Sequence, residues 1–182
     1  MKYFTPELYL QINSPNLEIA EKAHDKWEDA LERYAKHLGE IRSRMTPATR
    51  KLAGSLNLHD AEVLLFKYDG KLAVADLRQG DTHVFLVYVL VKNPLVTKIK
   101  SWPFSSKAVR WLYDEFDADA KGVQQHEVLL SDGRIWALSF SRVVVFEYAR
   151  PQAPSKRGEA RRHPVRMDER ADRGRKSAMG AK

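Results

Sequence analysis

The amino-acid sequence predicts an α+β fold in which N-terminal helices pack on a mostly antiparallel sheet of about six strands, with one inserted helix. Three observations lead to this prediction. Apolar residues in the first third of the chain recur at helical spacing, the pattern after Leu58 changes to that of strands, and turn residues separate those strands at short intervals.

Three helices are predicted within residues 1–56, and each begins with a residue type that caps helices. Thr5 and Thr46 each precede a proline, whose preset φ favours the first helical position, and Ser14-Pro15 repeats that pattern. After Ser14-Pro15, apolar residues recur every three or four positions and charged residues fill most of the other positions. This arrangement predicts one long amphipathic helix.

Residues 57–149 are predicted to form the sheet. Asp69-Gly70 separates two strand-like runs and predicts a β-hairpin with these two residues as its loop. Every residue in the run 84–91 is apolar, which predicts a central strand covered on both faces, with the long helix over the second face. Further strands are predicted at residues 96–102, 125–130, 135–140 and 143–148.

The inserted helix is predicted at residues 105–116. Val109, Leu112 and Phe116 recur at helical spacing and would face the core from one side of it. The acidic residues of the same segment would then lie on its solvated side.

The charge distribution predicts one folded domain, residues 1–149, followed by a disordered basic tail, residues 150–182. The chain of 182 residues has 31 Lys and Arg against 24 Asp and Glu. Residues 151–182 hold ten of these basic residues and four of the acidic ones, which leaves 21 basic and 20 acidic residues in the first 150. The tail has three prolines and no aromatic residue, so it cannot bury enough apolar surface to offset its ordering entropy.

The basic tail suggests one hypothesis of function, which is weak and nonspecific binding of nucleic acid. Such binding would be electrostatic and would weaken with salt. The alternative is a solvated extension, which the lack of aromatic residues among the basic ones favours. The candidate residues of the tail are Arg161, Arg162, Arg166, Arg170, Arg173, Arg175 and Lys176.

The composition excludes several classes of function. The chain has no cysteine, which excludes disulfides, Cys-ligated zinc and thiol chemistry. It has no glycine-rich phosphate loop and no nucleophile elbow, so no cofactor is predicted. Its start lacks the apolar stretch of a secretory signal, and its longest apolar run is far shorter than the roughly 20 residues that span a bilayer. We therefore expect a cytoplasmic protein without a membrane partner.

His59-Asp60 is the one dipeptide that resembles a catalytic signature, because His-Asp pairs bind metals in one class of phosphohydrolases. It lies at a junction of helix and strand, where the alternative is a structural role in a turn. A zinc or manganese site would form only if the sheet brought further ligands together, and otherwise these are ordinary polar residues. The candidate metal ligands are His59, Asp60, Asp76, His83 and His126.

An acidic, aromatic-flanked surface is the candidate for binding a basic partner protein. Trp and Tyr dominate the energetics of protein interfaces, and an exposed apolar loop marks an interaction site. The alternative is that the aromatic residues anchor the core. The candidate binding residues are Trp102, Phe104, Trp111, Tyr113, Asp114 and Glu115.

Five segments of the predicted domain share a pattern with known sequences: residues 1–9 (MKYFTPELY), 58–61 (LHDA), 111–116 (WLYDEF), 126–130 (HEVLL) and 135–145. In these segments the chain resembles a family of uncharacterised bacterial proteins, a domain of unknown function. The resemblance spans residues 1–149 and implies no catalytic residue. The His-Asp pair at a strand start is also similar to small α+β immunity proteins that accompany bacterial toxins.

These observations predict a non-enzymatic protein-binding module of the immunity or adaptor type. No cofactor motif is present and the domain is nearly neutral, which favours binding over catalysis. Two alternatives stay open, a metal-dependent hydrolase that uses the His and Asp cluster and a nucleic-acid-associated protein that uses the tail.

Overall fold

The computed structural model describes residues 1–149, which form three α-helices, one short 3₁₀ turn and a six-stranded antiparallel sheet. The predicted α+β fold class is therefore confirmed. The helices are α1 (Pro6–Ile12), α2 (Leu17–Ile41) and α3 (Pro47–Gly54), and the 3₁₀ turn is Arg42–Arg44. The strands are β1 (Glu62–Tyr68), β2 (Leu72–Gln79), β3 (Thr82–Lys98), β4 (Trp111–Ala118), β5 (Gln124–Leu130) and β6 (Arg134–Ala149).

The strands lie in the order β1-β2-β3-β6-β5-β4, and each pair of neighbours is antiparallel. β1 and β4 are therefore the two edge strands. None of the helices within residues 1–149 is long and apolar enough to cross a membrane. The predicted basic tail lies outside the described residues.

The helix caps explain where the helices begin. The hydroxyl oxygens of Thr5 and Thr46 accept hydrogen bonds from the backbone N–H groups three residues later, both at 3.2 Å. α2 begins after Asn16 rather than at Ser14-Pro15, because the Asn16 side chain accepts from the N–H groups of Glu18 and Ile19. Each cap satisfies donors that have no partner within the first turn.

The predicted inserted helix at residues 105–116 is wrong. Its second half belongs to the edge strand β4, and Arg110 pairs with Glu62 of β1. Because β4 is covered on both faces, its apolar residues do not simply alternate with polar ones. Their spacing therefore resembles that of a helix. The pairing of β4 with β5 supplies the backbone hydrogen bonds that a helix would have made internally.

Two predicted strand breaks are absent. β3 continues through Pro94, which lies where the register with β6 shifts, so its missing N–H costs no ladder bond. The predicted strands at 135–140 and 143–148 are likewise one strand, β6, whose register shifts between Phe140 and Arg142.

The β1–β2 hairpin is present, but its loop is Gly70-Lys71 rather than Asp69-Gly70. Asp69 pairs with Leu72 through an N–H···O=C bond of 3.0 Å, and Gly70 takes a φ of +89°. Glycine at the first loop position is the arrangement that favours a tight hairpin. The Asp69 carboxylate accepts the N–H groups of Leu72 and Lys71, which lowers its pKa below the ordinary value.

The main core lies between the inner face of the sheet and the segment from the end of α2 to Leu58. The helical side contributes Ile41, Met45, Leu52 and Leu58. The largest buried side chains of the sheet on this side are Trp136, Tyr88, Phe116, Phe140 and Trp111. A second cluster, of Tyr3, Phe4 and Ala30 with Trp27, Tyr34 and Tyr113, packs at the β4 edge.

Gly133→Ala is expected to lower the free energy of unfolding by about 2 kcal/mol, because a left-handed backbone and a close contact both oppose a side chain there. Gly133 has a φ of +78°, and an added Cβ would lie 2.6 Å from Cγ of Trp102. Gly80→Ala is the matched control, since Gly80 has a φ of +60° and open space around it. Urea denaturation of both variants checks this. Equal losses of unfolding free energy in the two variants would show that the Trp102 side chain moves away from the added Cβ at little cost.

Candidate functional site

The sheet face that points away from α3 carries a row of apolar side chains that nothing within residues 1–149 covers. The register places Val74, Val87 and Val144 side by side, with Phe85 beside Phe146 in the next row. Phe146 and Tyr148 are 54% and 50% exposed, and the other members are at least partly exposed. We call this surface the outer face, and its members are Leu72, Val74, Phe85, Val87, Val89, Val144, Phe146 and Tyr148.

The prediction that residues 84–91 are covered on both faces, with the long helix over the second face, is wrong. Along β3, buried Val84, Leu86 and Tyr88 alternate with residues that are partly or largely exposed. α2 lies at the far edge of the sheet, where the Tyr34 hydroxyl oxygen accepts the N–H of Phe116 in β4 at 2.6 Å. An unbroken apolar run therefore does not show that both faces of a strand are buried, since sequence periodicity reports hydrophobicity and not what covers it.

Polar groups of both signs lie within and around the outer face. His83 Nδ1 lies 3.2 Å from Oδ1 of Asp76, and the His83 ring stacks on Tyr148 with centroids 5.0 Å apart. Arg78 pairs with Glu62 beside them. The charges nearly cancel, so the surface selects neither a polyanion nor a polycation.

The five predicted metal ligands lie in three separate places. His59 and Asp60 lie in a turn, Asp76 and His83 lie on the outer face, and His126 lies in the core. Within residues 1–149, no group of three or more His, Asp or Glu side chains is placed to hold a metal ion. The geometry therefore does not assemble the site that the hydrolase alternative requires.

The His59-Asp60 pair forms a turn that joins the helical part to β1 and β4. The Ala61 N–H donates to the Leu58 carbonyl at 3.0 Å, and Asp60 takes a left-handed φ of +64°. The Asp60 N–H then donates to the Trp111 carbonyl at 2.8 Å. His59 Nδ1 lies 3.1 Å from the Asp60 carboxylate, an arrangement that suits the structural role.

Two of the predicted binding residues, Trp111 and Glu115, are buried, so their assignment to an exposed surface is wrong. Trp111 lies on the inner face of β4 against Trp136, with ring centroids 6.1 Å apart. Glu115 accepts the N–H groups of Lys2, Tyr3 and Phe4 at 2.7, 2.7 and 2.6 Å. Both positions follow from β4 being a strand covered on each side.

Trp102 and Phe104 lie on a loop that packs against α1. The Trp102 indole N–H donates to the Ser131 carbonyl at 2.9 Å, and its ring stacks on Tyr9 with centroids 5.8 Å apart. Phe104 remains 37% exposed. Tyr113 contacts Tyr9, Phe4, Trp27 and His59, so much of the predicted aromatic surface serves internal packing.

A buried polar network, missed from the sequence, links β3, β4 and β5. The Tyr88 hydroxyl oxygen lies 2.9 Å from His126 Nδ1, and His126 Nε2 lies 2.9 Å from Asp114 Oδ2. The Trp111 indole N–H donates to the other oxygen of Asp114 at 3.3 Å. Burial, and then the charge of Asp114, raise the pKa of Tyr88 well above its ordinary value, which keeps its hydroxyl a donor.

The signal for this network in the sequence was weak, because Tyr88, Asp114 and His126 are far apart in the sequence and only the antiparallel register brings them together. Phe116 stacks on the His126 ring with centroids 3.8 Å apart, which fixes the plane of the imidazole. Asp114 is the only member that reaches the surface, and 28% of its side chain is exposed.

The chain has no match among protein-family models, curated proteins or solved structures. The resemblance to a family of uncharacterised bacterial proteins therefore stays a prediction, as does the similarity to immunity proteins. The outer face and the surroundings of Asp114 are the two features of residues 1–149 from which we infer function.

Proposed function

We propose that this chain is a non-enzymatic protein-binding module, of the adaptor or immunity type, that binds a partner protein through the outer face. One observation carries the proposal: eight apolar side chains on three neighbouring strands form one surface that nothing within residues 1–149 covers. A solvated face of an antiparallel sheet ordinarily carries polar residues. A contiguous exposed apolar patch of this kind is typical of a protein interface.

The size of the outer face sets the expected strength of binding. Three strands about 4.8 Å apart and seven residues at about 3.3 Å per residue give roughly 14 by 23 Å. The planar area is therefore roughly 330 Å² on each partner, which is smaller than in a standard stable interface. We expect a transient complex rather than an obligate one.

The chemistry of the outer face indicates what kind of partner surface would fit it. Its centre is apolar, and its rim carries the Arg78–Glu62 pair with Lys67 and Arg142 at other edges. A partner surface that is apolar at its centre and carries charges of both signs at its rim would fit. Phe146 and Tyr148 are the best candidate anchors, because exposed aromatic residues dominate interface energetics.

The test compares the full-length chain with a Phe146→Thr/Tyr148→Thr double variant. Both side chains are about half exposed and threonine suits strands, so the fold should survive. Leu17→Gln/Ile19→Gln is the matched control, because these residues are 77% and 45% exposed on α2, away from the outer face. Partners would be captured from native lysate by crosslinking, and their affinity would then be measured with purified protein.

We expect at least tenfold weaker binding of the identified partner by the double variant and unchanged binding by the control. Sedimentation of the purified chain adds a second readout. A dimer that dissociates on the double substitution would identify the partner as a second copy. Equal binding by the double variant, or neither a partner nor self-association, would overturn the proposal.

A further inference from the structure

A cleft of about 400 Å³ opens at the β4 edge of the sheet, between α2, the segment 56–59 and the first residues of β4. Phe4, Tyr34 and Tyr113 contribute aromatic walls, and leucines such as Leu31 and Leu112 contribute aliphatic ones. Asp114 also lines the cleft, and 28% of its side chain is exposed. Cavities of this size and composition hold small apolar groups that a few polar contacts orient.

We propose that this cleft binds a cation carried on an apolar stem, as in the side chains of lysine and arginine. The walls would cover the stem, and Asp114 would bind the ammonium or guanidinium group. The inference is independent of the proposed outer face, which includes neither β4 nor any residue of the cleft.

The orientation of the Asp114 carboxylate is set before any ligand arrives. His126 Nε2 contacts one oxygen at 2.9 Å and the Trp111 indole N–H contacts the other at 3.3 Å, and both of these side chains are buried. Each oxygen has two lone pairs, so one on each remains for a ligand on the exposed side. A carboxylate held by buried donors binds without losing the freedom of its own side chain.

Within residues 1–149, no lysine or arginine lines the cleft, and His126 is the one basic side chain paired with Asp114. The histidine that lines the cleft, His59, lies 3.1 Å from the carboxylate of Asp60 instead. Tyr34 remains protonated there, since burial and then the charge of Asp114 raise the pKa of its phenol. A cationic ligand would therefore bring a positive charge to the exposed side of Asp114, against aromatic faces that also attract cations.

The test titrates the full-length chain with three probes and follows the aromatic NMR signals of Tyr34 and Tyr113. The probes are Nα-acetyl-lysine methylamide, the arginine analogue, and Nα-acetyl-norleucine methylamide, which has the stem without the charge. We expect the cationic probes to bind at least tenfold more tightly than norleucine. n-Pentylammonium carries the stem and the charge without a peptide. Its binding, compared with that of the lysine probe, distinguishes a free amine from a protein side chain as the ligand.

Asp114→Asn should remove the preference for the cationic probes. Asp117→Asn is the matched control, because it makes the same charge change at an exposed position of the same strand. Equal binding of the lysine and norleucine probes to the unaltered chain would overturn the inference, whatever the fold of the variant. A preference retained by a folded Asp114→Asn variant would also overturn it. The Phe146→Thr/Tyr148→Thr variant should bind the probes as the unaltered chain does. Failure of one proposal can therefore be distinguished from failure of the other.

Discussion

His126→Ala is expected to lower the free energy of unfolding by about 4 kcal/mol, the largest effect of any substitution proposed here. His126 is fully buried, stacks on Phe116 and contacts both Tyr88 and Asp114. Its removal would leave a cavity and would leave the buried Tyr88 hydroxyl without its hydrogen-bond partner. A cavity and an orphaned polar group each cost a few kcal/mol, and here they coincide.

Urea denaturation followed by circular dichroism measures this loss. His24→Ala is the matched control, because His24 is exposed on α2 and alanine suits a helix, so we expect a change within about 0.5 kcal/mol. Tyr88→Phe removes one hydrogen bond and should cost about 1 kcal/mol. A loss below about 1 kcal/mol for His126→Ala would show that the network adds little to stability.

Glu115→Ala is expected to lower the free energy of unfolding by about 3 kcal/mol. Its carboxylate accepts three successive backbone N–H groups, and the residues Tyr3 and Phe4 that supply two of them are buried. Hydrogen bonds to a charged acceptor are stronger than neutral ones, and their loss would leave buried donors unsatisfied. The N-terminal segment should then detach from β4.

Hydrogen exchange of the Tyr3 and Phe4 amides reports this detachment directly, alongside denaturation. Asp117→Ala is the control, since Asp117 lies two residues along the same strand but is exposed, and its loss should cost less than about 1 kcal/mol. If both amides remained protected in Glu115→Ala, the carboxylate would not be what holds the segment.

The helical part was largely predictable because its signals are local. A threonine cap and a following proline act within one turn, so α1 and α3 begin where the sequence indicates. β4 was not predictable in the same way. Its segment, residues 111–116, has helical spacing by itself, and it becomes a strand because β5 pairs with it and packing covers both of its sides.

The candidate sites were harder to predict than the fold. Tyr113 and Asp114 were singled out from the sequence and do line the cleft, but their neighbours Trp111 and Glu115 are buried. β4 is a strand whose register shifts between Trp111 and Tyr113, whereas the predicted helix would have grouped these residues differently. His126 was singled out as a metal ligand, and the structure instead places it under Asp114.

The sequence by itself determined the fold class, the starts of α1 and α3, the β1–β2 hairpin and the near neutrality of the domain, because each depends on neighbouring residues or on composition. Only the tertiary structure decided which apolar residues remain uncovered and which polar residues meet. Val87 and Val84 are equally apolar in the sequence, and they differ because the helical layer packs on one face of β3 and leaves the other face open. Binding surfaces and polar networks depend on contacts between distant segments, which no local pattern encodes.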